Sequence, residues 1–470
     1  MSDDLAFASV AQLGRLLRQK ATSATELAKI FLDRVERLGP AYNAVVTVTR
    51  ERALAEAAKA DEEIARGKWR GPLHGIPYGV KDLLATKGYP TTWGAEPYRT
   101  QTFDQDATVV ARLGTAGGVL VAKLAMVELA GGMGYNQANA SFTGPGKTPW
   151  NTSYWSGGSS SGPGAAVAAG LVPFAIGSET SGSILTPAAF CGVTGLRPTY
   201  GLVSRHGAMA LCWTMDKLGP MARTAEDCAL VLAVIAGRDP EDPSSVAVGF
   251  RVPAAPRRGQ NVRRFKVAIP KGADENIQPE VAANFRAALR VLADVTDVTE
   301  GVELPDLPFG AVAGMIIAVE GASAFDDLLK SGHLTQLTAP EDRTGGYPAH
   351  AISAPDYVRA LRVRRLLQRG LDKFLAPYDA IATPTRNTVA NPLDKPFREG
   401  WPGVTGGANV IGPTNVVGVP AISVPNGFGV QNLPTGIAFT ARAFEEGPLV
   451  ELARLYQARS AWHTQRPPIA

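Results

Sequence analysis

Gly157-Gly158-Ser159-Ser160-Ser161-Gly162, followed downstream by Gly177-Ser178-Glu179-Thr180-Ser181-Gly182-Ser183, decides how this chain is read. Serine and glycine bury little area, and glycine loses more backbone entropy on folding than any other residue. A core is not built from such material. Yet the two tracts flank a near-continuous apolar run, residues 165–176. The pattern describes shaped backbone carried to a buried place, where amide N–H groups and hydroxyls converge on a bound group.

The rest of the chain is that of a globular enzyme. Its 470 residues are 45% hydrophobic and 19% charged, which gives ample core and excludes a disordered chain. The net charge is only +4. The densest basic spot, Arg257-Arg258 with Arg263-Arg264, reads as a solvated loop, so no nucleic-acid partner is expected. Cys191, Cys212 and Cys228 are scattered and read as reduced and structural, Cys191 in an apolar setting that quiets a thiol. The five histidines lack metal-ligand spacing, so neither metal nor cofactor is expected. No apolar stretch reaches the roughly 20 residues of a membrane span. The start, Met1-Ser2-Asp3-Asp4, lacks the form of a signal peptide, which makes the cytoplasm the expected location.

Helices and strands alternate along most of the chain, predicting an α/β fold with a mixed or parallel sheet covered on both faces. Ser9-Val10-Ala11-Gln12 and Ser23-Ala24-Thr25-Glu26 have capping-box form and open two helices, the second stopped by Gly39-Pro40. Further helices are expected over 52–64, from Thr224, over 279–293 and over 310–328, with strands at 119–121, 266–269, 380–385 and 420–425. The organisation is read as one continuous domain, 1–470. It has a helical part over about 1–70, a core over about 71–237, a surface connection over about 238–265 and a remaining α/β part.

Nucleophilic catalysis by a serine needs a base, an oxyanion site and an acid for the leaving group. No histidine lies in either Gly/Ser tract. A lysine can take the base's place if burial leaves it neutral. Lys81, ending the apolar segment Gly75-Ile76-Pro77-Tyr78-Gly79-Val80-Lys81-Asp82, is a candidate. On residue type alone its plainer reading is a strand-end lysine that pairs with Asp82 or reaches solvent.

These segments together resemble the amidase signature family of serine hydrolases. The resemblance extends through Phe190-Cys191-Gly192-Val193-Thr194-Gly195, Asp216-Lys217-Leu218-Gly219-Pro220 and Gly418-Val419-Pro420-Ala421. It implies the amidase signature fold, an α/β fold with a large mixed β-sheet covered by helices on both faces, and a triad of Lys81, Ser159 and Ser183. Ser159 would bridge from a cis peptide, and Ser183, 24 residues on, would be the nucleophile. It further implies an oxyanion hole of backbone N–H groups from Thr180, Ser181, Gly182 and Ser183. The expected activity is hydrolysis of a small-molecule amide through an acyl-enzyme, with esters and carbamates open to the same chemistry, in a monomer or homodimer.

Three departures from the family pattern bear on the substrate. Glu179 replaces the common aspartate, Ser181 a common glycine, and Leu185 stands where many relatives have arginine. Without that cation the pocket should favour apolar or aromatic amides, with Leu185, Met133, Tyr135, Trp155 and Trp213 as candidate walls. Two alternatives remain: an amidase-like subunit of a tRNA-dependent amidotransferase that needs partners, and an α/β-hydrolase-type esterase. The latter would use Ser160 in Gly158-Ser159-Ser160-Ser161-Gly162, with His463 as its histidine.

Overall fold

The computed structural model describes residues 2–254, 263–408 and 410–469; Arg257 and Arg258 lie outside them. Its strands are β1 (Val45–Val48), β2 (Pro77–Lys81), β3 (Val119–Leu124), β4 (Phe174–Glu179), β5 (Thr194–Arg197), β6 (Lys217–Ala222), β7 (Phe265–Pro270), β8 (Thr296–Val302), β9 (Ala380–Pro384), β10 (Ala421–Phe428) and β11 (Pro434–Thr440). They form one 11-stranded sheet in the order β1-β3-β2-β4-β6-β5-β10-β11-β9-β7-β8. Strands β2 to β6 are buried along their whole length, as strands covered on both faces are. The edge strand β8 is exposed over most of its residues.

The sheet is mixed. β2 runs parallel to both β3 and β4, while β4–β6, β6–β5, β5–β10 and β10–β11 are antiparallel pairs. The β2–β4 register, with Gly79 opposite Ala175 and Val80 opposite Ile176, aligns the carboxyl ends of these strands. Ligands of open α/β sheets gather outside such ends. Lys81 closes β2 there, and Ser178 and Glu179 close β4.

Most expected elements are present, with informative shifts. The first two capping boxes form as predicted, at Ser9 and Ser23. Gly39-Pro40 does not stop the second helix, which runs Ala24–Tyr42 and ends on left-handed Asn43. A proline in a last turn forfeits little, and the Asn43 and Ala44 N–H groups still reach the Pro40 and Gly39 carbonyls. The helix expected over 310–328 breaks at Phe325 into Phe309–Ala324 and Asp326–Ser331. The surface connection is tied down at its start: Asp239 accepts hydrogen bonds from the Thr108 and Ser204 hydroxyls at 2.5 and 2.6 Å. β10 pairs with β5, so the sheet draws strands from both sides of that connection. Among the described residues, no helix is long and apolar enough to cross a membrane.

Candidate active site

Lys81 is fully buried, and its Nζ donates to Ser159 Oγ at 2.8 Å and to Ser178 Oγ at 2.9 Å. Asp82 points elsewhere, pairing with Lys123 at 3.0 Å, so the strand-end reading of Lys81 does not hold. Burial pulls the Lys81 amine down from 10.5 to about 7, against the opposing pull of the Asp216 and Glu179 carboxylates. A substantial neutral fraction therefore exists near neutral pH, which is what a lysine base requires.

The peptide bond Gly158–Ser159 is cis. Glycine at 158 is also required by space, because a Cβ there would come within 2.7 Å of Trp155 and Val127 side-chain atoms. The Ser160 N–H donates to the Ser183 carbonyl at 3.2 Å, which draws the tract carrying Ser159 against Ser183. Ser160 Oγ itself is spent on the β4 backbone: it donates to the Ser178 carbonyl at 3.1 Å and accepts from the Ser178 N–H at 3.2 Å. That locks Ser160 into a structural role. His463 lies in a different part of the fold, a cleft lined by Phe7, Arg15, Arg223 and Arg466, so the esterase constellation does not assemble.

The loop Thr180–Ser183 is held from below by Glu179. One Glu179 oxygen accepts from the Ile184 and Leu185 N–H groups at 2.8 and 3.0 Å; the other accepts from Arg197 at 2.9 Å and Asn415 at 2.7 Å. Burial raises this carboxyl, but Arg197 and Lys217 outweigh it and keep it below its ordinary range. Gly182 adopts φ 92°, where a side chain is strained. Thr180 and Ser183 are almost buried, whereas Ser181 is exposed. Thr180 Oγ1 donates to Asp216 Oδ1 at 2.5 Å.

A cavity of about 260 Å³ opens beside this loop, lined by Ser178, Thr180, Asp216, Met209, Leu211 and Trp213 among others. A second, of similar volume, shares Met209 and Trp213 and adds Trp93, Phe103 and Phe325. Of the expected wall residues, Trp213 lines both and is 46% exposed. The other four are placed in packing. Tyr135 and Trp155 meet Phe397 in an aromatic cluster, Met133 lies against Gly345 and Gly346, and Leu185 packs with Ile411 and Ala421. Ser178 and Asp216 are the residues that sequence reasoning passed over. Ser178 stood inside the second tract, and only the parallel pairing of β2 with β4 reveals that it reaches Lys81. Among the described residues, no group of three or more His, Cys, Asp or Glu side chains could hold a metal ion.

A family model described as Amidase matches residues 26–450. A glutamyl-tRNA(Gln) amidotransferase subunit of Methylococcus capsulatus is 36% identical over 486 residues, spanning 98% of each chain. The peptide amidase of Stenotrophomonas maltophilia superposes with a TM-score of 0.84 at 30% identity, over 98% of each chain. A bacterial aryl acylamidase, 23% identical over 97% of each chain with a TM-score of 0.82, shares the fold. The chain is thus a hydrolase acting on carbon–nitrogen bonds. It belongs to the amidase signature family.

Proposed function

We propose that this enzyme hydrolyses small-molecule amides bearing an apolar or aromatic group, through an acyl-enzyme on Ser183. The observation that carries the proposal is the fully buried Lys81 amine, 2.8 Å from Ser159 Oγ. Neutral Lys81 accepts the Ser159 hydroxyl proton while Ser159 takes the proton of Ser183, whose oxygen attacks the carbonyl carbon. The backbone N–H groups of Thr180, Ser181, Gly182 and Ser183 hold the developing oxyanion. The relay then reverses, the leaving nitrogen gains a proton, and the carbon–nitrogen bond breaks. Water opens the acyl-enzyme by the same base, and esters and aryl carbamates fit this chemistry too.

The 36% identity to an amidotransferase component over nearly the whole chain supports a second reading, a partner-dependent amidotransferase subunit. Leu185 stands where many relatives have arginine and offers no cation to a small carboxylate-bearing substrate such as glutamine. The deciding experiment measures amine release by the isolated chain from acyl anilides, primary amides, peptide amides, aryl carbamates and glutamine, beside Ser183→Ala. Turnover of apolar amides by wild type alone supports the first reading. Glutamine turnover confined to mixtures with partner subunits supports the second. Equal turnover by the two proteins sinks Ser183 as nucleophile.

A further inference from the structure

We propose that Asp216 is a positioning residue that links the wall of the substrate cavity to the oxyanion loop, so that filling the cavity aligns Thr180 for catalysis. This rests on the reading above that the Thr180–Ser183 N–H groups hold the oxyanion. Asp216 ends the segment leading into β6 and lines the cavity beside Ser178 and Thr180. Its two oxygens face different structures. Oδ1 accepts from the Thr180 hydroxyl at 2.5 Å, while Oδ2 accepts from the backbone N–H groups of Leu211 and Cys212 at 2.9 and 2.8 Å.

Leu211 lies on the cavity wall, and Trp213, two residues on, presents its exposed ring there. A substrate group packed on this wall therefore bears on the same carboxylate that fixes Thr180. Binding energy gained remotely from the reacting carbonyl is in this way spent on alignment at the carbonyl, which raises kcat and not the tightness of ground-state binding. Around Asp216, burial raises the carboxyl, and the donors Thr180, Cys212 and Leu211, with the charge of Arg205, oppose that shift. Its charge also reaches Lys81, where it favours the protonated amine.

The test uses p-nitroanilides of acetyl, butyryl and hexanoyl groups with the full chain and three variants. Thr180→Val cuts the link at the loop while sparing the other bonds of Asp216, Thr180→Ser keeps the hydroxyl, and Asp216→Asn removes the charge. In wild type, kcat should rise with acyl length. In Thr180→Val that gain should fall by about tenfold for the longest substrate, the scale of one hydrogen bond to a charged group. Thr180→Ser should retain it. Asp216→Asn, which weakens the same link from the other side, should likewise flatten the rise of kcat with acyl length, a split that a loss of structure alone would not produce. Loss of rate in Thr180→Val or Asp216→Asn that is equal for all three acyl groups overturns the proposal. Absence of turnover of all three anilides by wild type instead sinks the apolar-amide reading on which the proposal rests, and the proposal falls with it.

Discussion

Replacing Lys81 by methionine should stabilise the protein near neutral pH while removing its activity. The buried amine titrates at about 7 in the fold instead of 10.5. Between those values the unfolded chain holds a proton that the folded chain lacks. Stability therefore rises with pH across that window, by about 1.4 kcal/mol per unit, and is lost as pH falls to 7. The whole window amounts to about 5 kcal/mol at neutral pH, measured against alkaline conditions. Methionine fills similar space without charge and forfeits two hydrogen bonds, to Ser159 and Ser178, worth about 1 kcal/mol each. The variant should then exceed wild type by about 3 kcal/mol at pH 7, and this advantage should shrink by about 2 kcal/mol by pH 9. Denaturant midpoints for both proteins at the two pH values measure it. Lys217, also buried and drawn down to about 7, titrates in both and cancels in the difference. A stability difference independent of pH would refute the reasoning, because Lys81 would then keep its ordinary protonation in the fold. Activity should drop by about a hundredfold or more, the contribution of a positioned base.

Other substitutions test the surrounding parts. Ser178→Ala leaves Lys81 with one hydroxyl partner, and kcat should fall by about five- to thirtyfold with KM little changed; an unaltered kcat would take Ser178 out of the relay. Glu179→Gln leaves the fully buried Arg197 without its carboxylate, costing about 3–5 kcal/mol, read as a lowered thermal midpoint. In the wild type the same pair should weaken in acid, since the depressed Glu179 carboxyl gives stability that is lost as pH falls through its folded value. His463→Ala should keep wild-type steady-state rates, and loss of activity would revive the Ser160 esterase.

The parts of the site legible in the sequence are those written contiguously. The two Gly/Ser tracts announce close-packed backbone, and the apolar run before Lys81 announces a buried strand. Both features are local, and both hold. What escaped is what long-range pairing creates. Ser178 meets Lys81 only because β2 and β4 are parallel with Val80 opposite Ile176. Asp216 meets Thr180 across 36 residues, and Glu179 meets Asn415 across 236. Of the aromatic residues expected around the substrate, Trp213 lines the cavity, whereas Tyr135 and Trp155 are near the motifs in sequence but pack against Phe397, Tyr135 edge-on and Trp155 stacked.

Burial alone does not single out Lys81 as the proposed base, since Lys81, Lys123 and Lys217 are all buried. Lys123 pairs with Asp82 at 3.0 Å and also donates to the Leu84 carbonyl at 3.1 Å and to the Thr91 hydroxyl, so its proton is held in an ion pair away from the Gly/Ser tracts. Lys217 is drawn down to about 7, as Lys81 is, and burial is again the leading cause. Its amine reaches the Asn415 carbonyl at 3.5 Å, an acceptor with no proton to give. A base must abstract a proton from something within reach, and geometry comes before pKa in deciding which amine can. Only Lys81 of the three contacts two serine hydroxyls, one of them in the tract drawn against Ser183. A pKa near neutrality fits an amine for the proposed role of base, and the hydroxyls within its reach are what favour Lys81 for it. Moving the hydroxyl, as Ser178→Ala does, should therefore change the rate while leaving the buried amine's burden on stability in place.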